Sequence, residues 1–333
     1  MKITIKEVAK AANVSTSTVS RVISDSPQIS EKTKEKVREV IKQLNYKPNA
    51  IARSLANKKT RIIGVVLPNE AQDLSFNPFF LKAMQGMSSY AKRKKYYITY
   101  AFNDDEREEL NSIKDFITSN LIAGVCLLRL RTDDKSIEYL NNTNFPFVVV
   151  GRPEEPESML WVDNDNFKAT YNLMDTLIKK GHKEIAFLGA KEELTVTKDR
   201  LKGYKVSCEI NGLSCATKNI IIKDEFTEEE GFEGALELIE KCNPTAILVQ
   251  DDLLAFGVLK ALKSKGISDI SVVAFNNTPL AQFQNPPLAS VDINAYELGY
   301  YAAKVLIEYL ENNNVENNHY IIESELVERE SLR

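Results

Sequence analysis

Histidine is nearly missing from this chain of 333 residues, which has His182 and His319 and no other. Two imidazoles leave a His-rich metal centre or a Ser-His-Asp triad almost nothing to use. Cysteine is scarce too: Cys126, Cys208, Cys215 and Cys242 include no C-x-x-C pair, and a 37.6 kDa chain has no need of disulfide staples. They read as reduced structural thiols. No G-x-S-x-G, Walker loop, G-x-G-x-x-G or H-E-x-x-H occurs. An enzyme is therefore not expected, nor a metal or organic cofactor. Long apolar runs are absent as well, since Ile62–Leu67 and residues 147–151 fall far short of the ~18 consecutive apolar residues of a membrane span. The opening Met-Lys-Ile-Thr-Ile-Lys-Glu has no apolar core and no small-residue cleavage site, so the expected location is the cytoplasm, with no membrane partner.

What is present is enough to build real cores. Hydrophobic residues make up 43% and charged residues 27%, a globular composition that excludes wholesale disorder, and the length predicts two or three folding units at about 100–200 residues each. The net charge of -4 conceals a division. Residues 1–61 carry 14 Lys and Arg against 5 Asp and Glu, a net of +9, which leaves 29 against 42, a net of -13, for the other 272. A basic head on an acidic body suggests that the head alone meets a polyanion, because phosphate contacts rely on Lys and Arg displacing counterions. Charge by itself leaves an ordinary solvated helical surface equally open.

Within the head, Ile5, Val8, Ala9 and Ala12 recur at helical spacing and give one apolar stripe. Asn13 follows, tolerant of the left-handed backbone of a tight turn, and Ser15 stands where an N-cap oxygen starts the next helix. In that second helix Val19, Val22 and Ile23 form the buried face, which leaves Thr16, Ser17, Ser20 and Arg21 outside. Ser30 caps a third helix carrying Val37, Val40, Ile41 and Leu44, which ends before Tyr46-Lys47-Pro48. Helix, short turn, helix is the arrangement in which the second helix enters the major groove and its N-terminal residues touch base edges. A three-helix interaction module is the competing reading.

The head resembles a known family at these same residues. Thr4-Ile-Lys-Glu-Val-Ala9, the run from Val14 to Ile23, Asn45-Tyr-Lys-Pro-Asn49 and Ala52-Arg-Ser-Leu55 are similar to the lactose-repressor (LacI/GalR) family. The resemblance implies a homodimeric repressor of pseudo-palindromic double-stranded operator DNA whose recognition helix is Thr16 to Ser24. It places Thr16 and Ser17 at the main sequence-reading positions and Arg21 at a base-contacting arginine, with Thr4, Ser15 and Ser20 beside them. The segment after Pro48 is a good helix former only about two turns long, below the ~12–15 residues of a stable isolated helix, so it should fold conditionally. By resemblance it is a hinge helix that enters the minor groove through Asn49, Ala52 and Arg53 and wedges Leu55 between base steps. A flexible linker with Leu55 packed on its own core is the alternative.

From Arg61 onward, apolar runs alternate with amphipathic ones in a parallel α/β rhythm. Strands are expected at 62–67, 97–102, 124–128 and 147–150, with helices near 79–94, 107–119 and 135–141. After Pro153 and Pro156 the rhythm restarts with a helix near 166–180 and strands at 185–189, 219–222, 246–250 and 271–275. Two doubly wound halves follow, and such halves bind small ligands at the carboxyl ends of their strands. Arg200 is a fork-shaped donor, Asp251, Asp252, Asn276 and Asn277 close strands, and Phe226 offers an aromatic face. Together they supply the donors, acceptors and stacking a carbohydrate needs. Singly, an Asp after a strand is more often an N-cap and a Phe more often core.

The resemblance extends over residues 60–333 and implies an α/β, two-lobed periplasmic-binding-protein-like body behind the helix-turn-helix head. The expected division is 1–47 for the head, 48–60 for the hinge, 61–160 with about 290–318 for one lobe, and 161–289 with about 319–333 for the other. Phe79, Phe80, Arg200, Phe226, Asp251 and Asn276 fall where the family lines its effector cleft. Asn276 replaces the commoner aspartate, and Phe226 stands where some members have tryptophan. The wording Trp161-Val-Asp-Asn-Asp-Asn166 and Ala274-Phe-Asn-Asn-Thr-Pro-Leu-Ala281 most resembles maltose-operon repressors of Gram-positive bacteria, which implies maltose or a maltodextrin as effector. No leucine heptad follows Arg333, so a dimer is expected rather than a tetramer. Residues 296–304 are similar to the segment by which catabolite-control members bind a phosphorylated carrier protein, although Lys304 replaces their arginine. The other competing readings are a transport binding protein, which the basic head disfavours, and a hydrolase using Asp251 and Asp252, which lacks a base or nucleophile partner.

Overall fold

The computed structural model describes residues 3–23, 25–46, 60–68, 78–313 and 315–333. The hinge residues Asn49, Ala52, Arg53 and Leu55 lie outside the described residues. The chain divides into two compact units, residues 1–60 and residues 61–333.

The first unit is the expected three-helix head: α1 (Ile5–Ala11), α2 (Thr16–Ile23) and α3 (Glu31–Gln43). Its core is Val8, Ala9, Ala12, Val19, Val22 and Val37, the apolar stripes of all three helices. Asn13 adopts the left-handed conformation at φ 50°, which turns the chain between α1 and α2 without the strain a branched residue would meet. Ser15 caps α2, its Oγ accepting from the Thr18 backbone N–H at 3.1 Å, and Ser30 caps α3 by accepting from Thr33 N–H at 3.4 Å. Asp25 fastens the turn after α2 to α3 through Arg38 at 2.7 Å and Lys34 at 3.2 Å.

The second unit carries two six-stranded sheets. The first contains β1 (Ile62–Leu67), β2 (Tyr97–Phe102), β3 (Gly124–Leu127), β4 (Phe147–Val150), β5 (Leu160–Asn164) and β11 (His319–Ile322), all parallel, in the order β11-β5-β4-β3-β1-β2. The second contains β6 (Ile185–Ala190), β7 (Ile220–Lys223), β8 (Ala246–Val249), β9 (Ser271–Phe275), β10 (Ala289–Asp292) and β12 (Glu325–Val327), in the order β12-β10-β9-β8-β6-β7. Helices α4 (Pro78–Arg93), α5 (Glu106–Thr118) and α6 (Lys135–Asn142) cross over the first sheet. The second is served by α7 (Asn166–Lys179), α8 (Thr195–Ile210), α9 (Glu228–Cys242) and α10 (Asp252–Ser264), and α11 (Ala295–Asn312) returns to pack on α4. That crossing is close: a Cβ on Gly299 would lie 1.9 Å from the Ala83 carbonyl oxygen, so glycine is required there. No described helix is long and apolar enough to cross a membrane.

The structure differs from the sequence reading in three places. Leu160–Asn164 is a strand, hidden in the sequence because it ends in polar Asp163 and Asn164 and follows a proline-containing loop. It pairs with β4 through Val150 and Val162, and β11 pairs with it in turn through Ile322 and Asn164. The chain therefore crosses between lobes near 164, 293 and 323, and neither 160 nor about 290 nor about 319 marks the boundary. In particular 319–322 belongs to the first sheet and 289–292 to the second. Finally, β12 runs antiparallel to β10, so the second sheet is not purely parallel.

Candidate functional site

In both sheets the strand order reverses beside the first strand of the unit, between β1 and β3 and between β6 and β8, where connections leave toward opposite faces and open a crevice. The carboxyl ends of these strands face one another across a cavity of about 130 Å³. All six expected effector residues, Phe79, Phe80, Arg200, Phe226, Asp251 and Asn276, line it.

Arg200, on α8, is 4% exposed. Its Nε donates to Asn166 Oδ1 at 2.9 Å and its Nη1 to the Gln250 carbonyl at 2.6 Å, while the guanidinium lies 3.9 Å over the Phe275 ring. Burial pulls its pKa down to about 10 against the opposing pull of Asp163, Asp251 and Asp252, so it stays cationic at neutral pH. Asp251 combines the two roles open to it. Its Oδ1 caps α10 by accepting from Leu253 N–H at 2.7 Å, and its Oδ2 accepts from the Asn276 amide. Asn276 itself sits at φ 101°, which swings its side chain back over the end of β9 toward Asp251. Burial pushes the Asp251 carboxyl up to about 6.

The aromatic pair is only half accessible. Phe80 is 6% exposed and belongs to the lobe core, whereas Phe79 is partly buried and meets it edge-on at 5.1 Å. Phe226 is likewise partly buried against the second lobe's core, so it is both core and lining.

Two strand-end residues do not reach the cleft. Asp252 is fully buried and accepts from Thr278 N–H and Ser290 Oγ, both at 2.6 Å. Asn277 donates to Asp292 at 3.0 Å and accepts from Arg329 at 2.7 Å. The adjacent carboxylates thus point apart, which removes the geometric basis of the hydrolase reading. Neither histidine lines the cleft: His182 bridges Thr245 and the Arg333 carbonyl, and His319 stacks on Trp161 at 4.4 Å. Lys304 stands over the rings of Tyr301 and Tyr320 at 5.3 and 4.7 Å.

Sequence reasoning missed Asp163, Asn166, Gln250 and Arg129, which also line the cavity. Asn166 relays between Arg200 and Asp163, donating to Asp163 Oδ1 at 3.0 Å. Burial raises the Asp163 carboxyl to about 7. The polar run Asp163 to Asn166 was visible, but its meaning depended on a strand end at 164 that the sequence reading lacked.

On the head, Thr16, Ser17 and Arg21 are exposed and Ser20 is partly so, all on the face of α2 away from Val19 and Val22. Ser15 Oγ is occupied by capping, and the Thr4 backbone N–H donates to Glu7 Oε2 at 2.6 Å. The Thr4 hydroxyl also donates to Glu7 Oε2, at 3.1 Å.

A family model described as bacterial regulatory proteins, lacI family, matches residues 4–49, and one described as a periplasmic binding protein-like domain matches residues 174–332. The HTH-type transcriptional regulator MalR of Streptococcus pneumoniae serotype 4 is 38% identical over 98% of both chains. The chain belongs to the LacI family. As a LacI-family protein it is a DNA-binding transcriptional repressor and not an enzyme. Among solved structures, a putative LacI transcriptional regulator from Bacillus cereus subsp. cytotoxis is 36% identical, with a TM-score of 0.79 over 83% of this chain and 99% of that one. A transcriptional regulator CelR-cellobiose complex is 27% identical at a TM-score of 0.77 over 99% of each.

Proposed function

We propose that this LacI-family repressor acts in the cytoplasm as a homodimer on a maltose or maltodextrin utilisation operon, and that sugar in the interlobe cleft releases it from its operator. The observation that carries this reading is the cleft itself: a buried fork-shaped donor, Arg200, faces the acceptor pair Asp251 and Asn276, with Phe79 and Phe226 as ring faces. Directional donors and acceptors recognise vicinal hydroxyls and reject ligands lacking them, because the buried groups would be left unpaired. The MalR relative supports maltose, and the cellobiose complex of CelR supports a disaccharide of similar size. Thr16, Ser17, Ser20 and Arg21 are the residues we assign to base reading, with Thr4 and Ser15 ordering the helix ends and Asn49, Ala52, Arg53 and Leu55 to the minor groove.

Release requires that sugar and operator favour different lobe arrangements, since a ligand with equal affinity for both shifts nothing. Titrating maltose into the protein–operator complex tests the reading, with dissociation expected at millimolar sugar or below. Arg200→Ala should give a protein that still binds operator but no longer responds. Operator complexes that persist unchanged at millimolar maltose and maltodextrin would remove the maltose assignment.

A further inference from the structure

Arg329 lies just beyond β12, outside the cleft, and is partly buried. Its hydrogen bonds go to amide oxygens rather than to carboxylates: Nη1 donates to the Leu288 carbonyl and Nη2 to Asn277 Oδ1, each at 2.7 Å. The segment that carries it is anchored by other groups. Ser331 Oγ accepts from Ala289 N–H at 2.8 Å and donates to the Val272 carbonyl at 2.6 Å, the Val272 N–H donates to the Ser331 carbonyl at 2.8 Å, and Leu332 is buried. A guanidinium is therefore not needed to dock the segment. Its rigid fork is better understood by the two places it spans, the entrance to β10 and the turn after β9.

That turn is held against its own backbone preference. Asn276 at φ 101° and Asn277 at φ 44° are consecutive non-glycine residues with positive φ, which persist where the surroundings enforce them. The Asn276 N–H donates to the Val291 carbonyl and the Asn277 N–H to Ser290 Oγ, both at 2.9 Å. The Asn277 side chain is gripped at both ends, its Oδ1 by the Arg329 cation and its Nδ2 by the Asp292 carboxylate at 3.0 Å. Two charge-assisted bonds fix the orientation of this amide. Its neighbour Asn276 is thereby turned so that its own amide donates to Asp251 Oδ2 on the cleft wall. Neither Asn277 nor Arg329 lines the cavity.

We propose that Arg329 is a positioning residue for the effector site: acting through Asn277, it holds the Asn276 amide against Asp251 and so sets the direction in which this pair meets a sugar hydroxyl. With the grip removed, Asn276 relaxes from its positive φ and the cleft loses a fixed polar group. The inference rests on the sugar-responsive reading above and adds to it a determinant that touches no ligand.

The test combines the ligand-free crystal structure of Arg329→Met with calorimetric titration of maltose into full-length wild type, Arg329→Met, Arg329→Lys, Asn277→Gly and the variant carrying both Arg329→Met and Asn277→Gly. Methionine keeps the apolar stem without the donors, and glycine adopts φ 44° freely while removing the amide that Arg329 grips. Maltose affinity should fall about threefold to tenfold in Arg329→Met, the loss associated with one neutral hydrogen bond, and Arg329→Lys should recover part of it. In the Asn277→Gly background the same Arg329→Met change should alter affinity by less than about twofold, because the route is already cut. Equal losses in the two backgrounds would overturn the proposal, since a residue that merely stabilises the lobe acts in both. An Asn276 amide still bonded to Asp251 in the Arg329→Met crystal structure would overturn it as well, and that readout needs no sugar. Should Arg329→Met not fold, Arg329→Lys goes through the same cycle with the same outcomes. Wild type that binds no maltose would remove the effector reading, and the crystal structure then decides the positioning claim by itself.

Discussion

Asp252 has a carboxyl with no access to water, satisfied by Thr278 N–H and Ser290 Oγ, and burial pushes it up to about 7. Asp163 and Asp251 move the same way, to about 7 and about 6. The folded chain therefore keeps protons that the unfolded chain releases near pH 4. The stability this provides is fully present below about pH 4 and is lost as pH rises through about 6 to 7. Asp252→Asn cannot ionise and lets Ser290 turn to accept, so its stability relative to wild type should improve as pH goes from 5 to 8. Denaturant unfolding at the two pH values measures this, and curves that shift in parallel for both proteins would refute it. Single residues also show what composition hides. Arg200, Asp251 and Asn276 were recognisable because strand ends collect ligand groups, yet whether Asp251 caps α10 or meets ligand had no answer until its two oxygens were seen bonded separately.

At the scale of the element, the three helices of the head follow directly from apolar spacing, caps and one left-handed asparagine, because each signal is local. Their outward face makes a prediction. Arg21→Ala should cost about 1–3 kcal/mol on the operator while changing non-specific binding little, as expected for a base-edge contact. Fluorescence anisotropy on operator and random duplexes at one salt concentration separates the cases, and equal losses on both would make Arg21 a phosphate contact instead. Strands of the body were legible where they are wholly apolar, as in Ile62–Leu67 and Ala246–Val249. Leu160–Asn164 escaped because burial on both faces of a parallel sheet does not forbid a polar end when that end is a cleft.

For the whole molecule, the lobes are joined where β5, β10 and β11 end. Asn164, 3% exposed, ties these crossings together by donating from Nδ2 to the carbonyls of Ile293 at 3.0 Å and Ile322 at 2.9 Å. Asn164→Ala removes both bonds and should lower the unfolding free energy by about 2 kcal/mol, at about 1 kcal/mol each. Because the crossings set how the lobes move, the maltose concentration for half-release of operator should shift as well. An unchanged half-release point in a destabilised variant would show that Asn164 is structural only.

By itself the sequence determined the head, the α/β rhythm, the charge division and the candidate residues Arg200, Asp251 and Asn276, all properties of short windows or of composition. Only the tertiary structure decided which strands share a sheet, that Asp252 and Asn277 turn away from the cleft, and that Asp163, Asn166 and Arg129 join it. The reason is range. A helix or a cap is fixed by neighbours within four or five residues, whereas the partners of β5 lie at Val148–Val150 on one side and His319–Ile322 on the other, more than 150 residues away in the second case. Which side chain faces a cleft made by such pairings is decided by register, and register exists only once the sheets have formed.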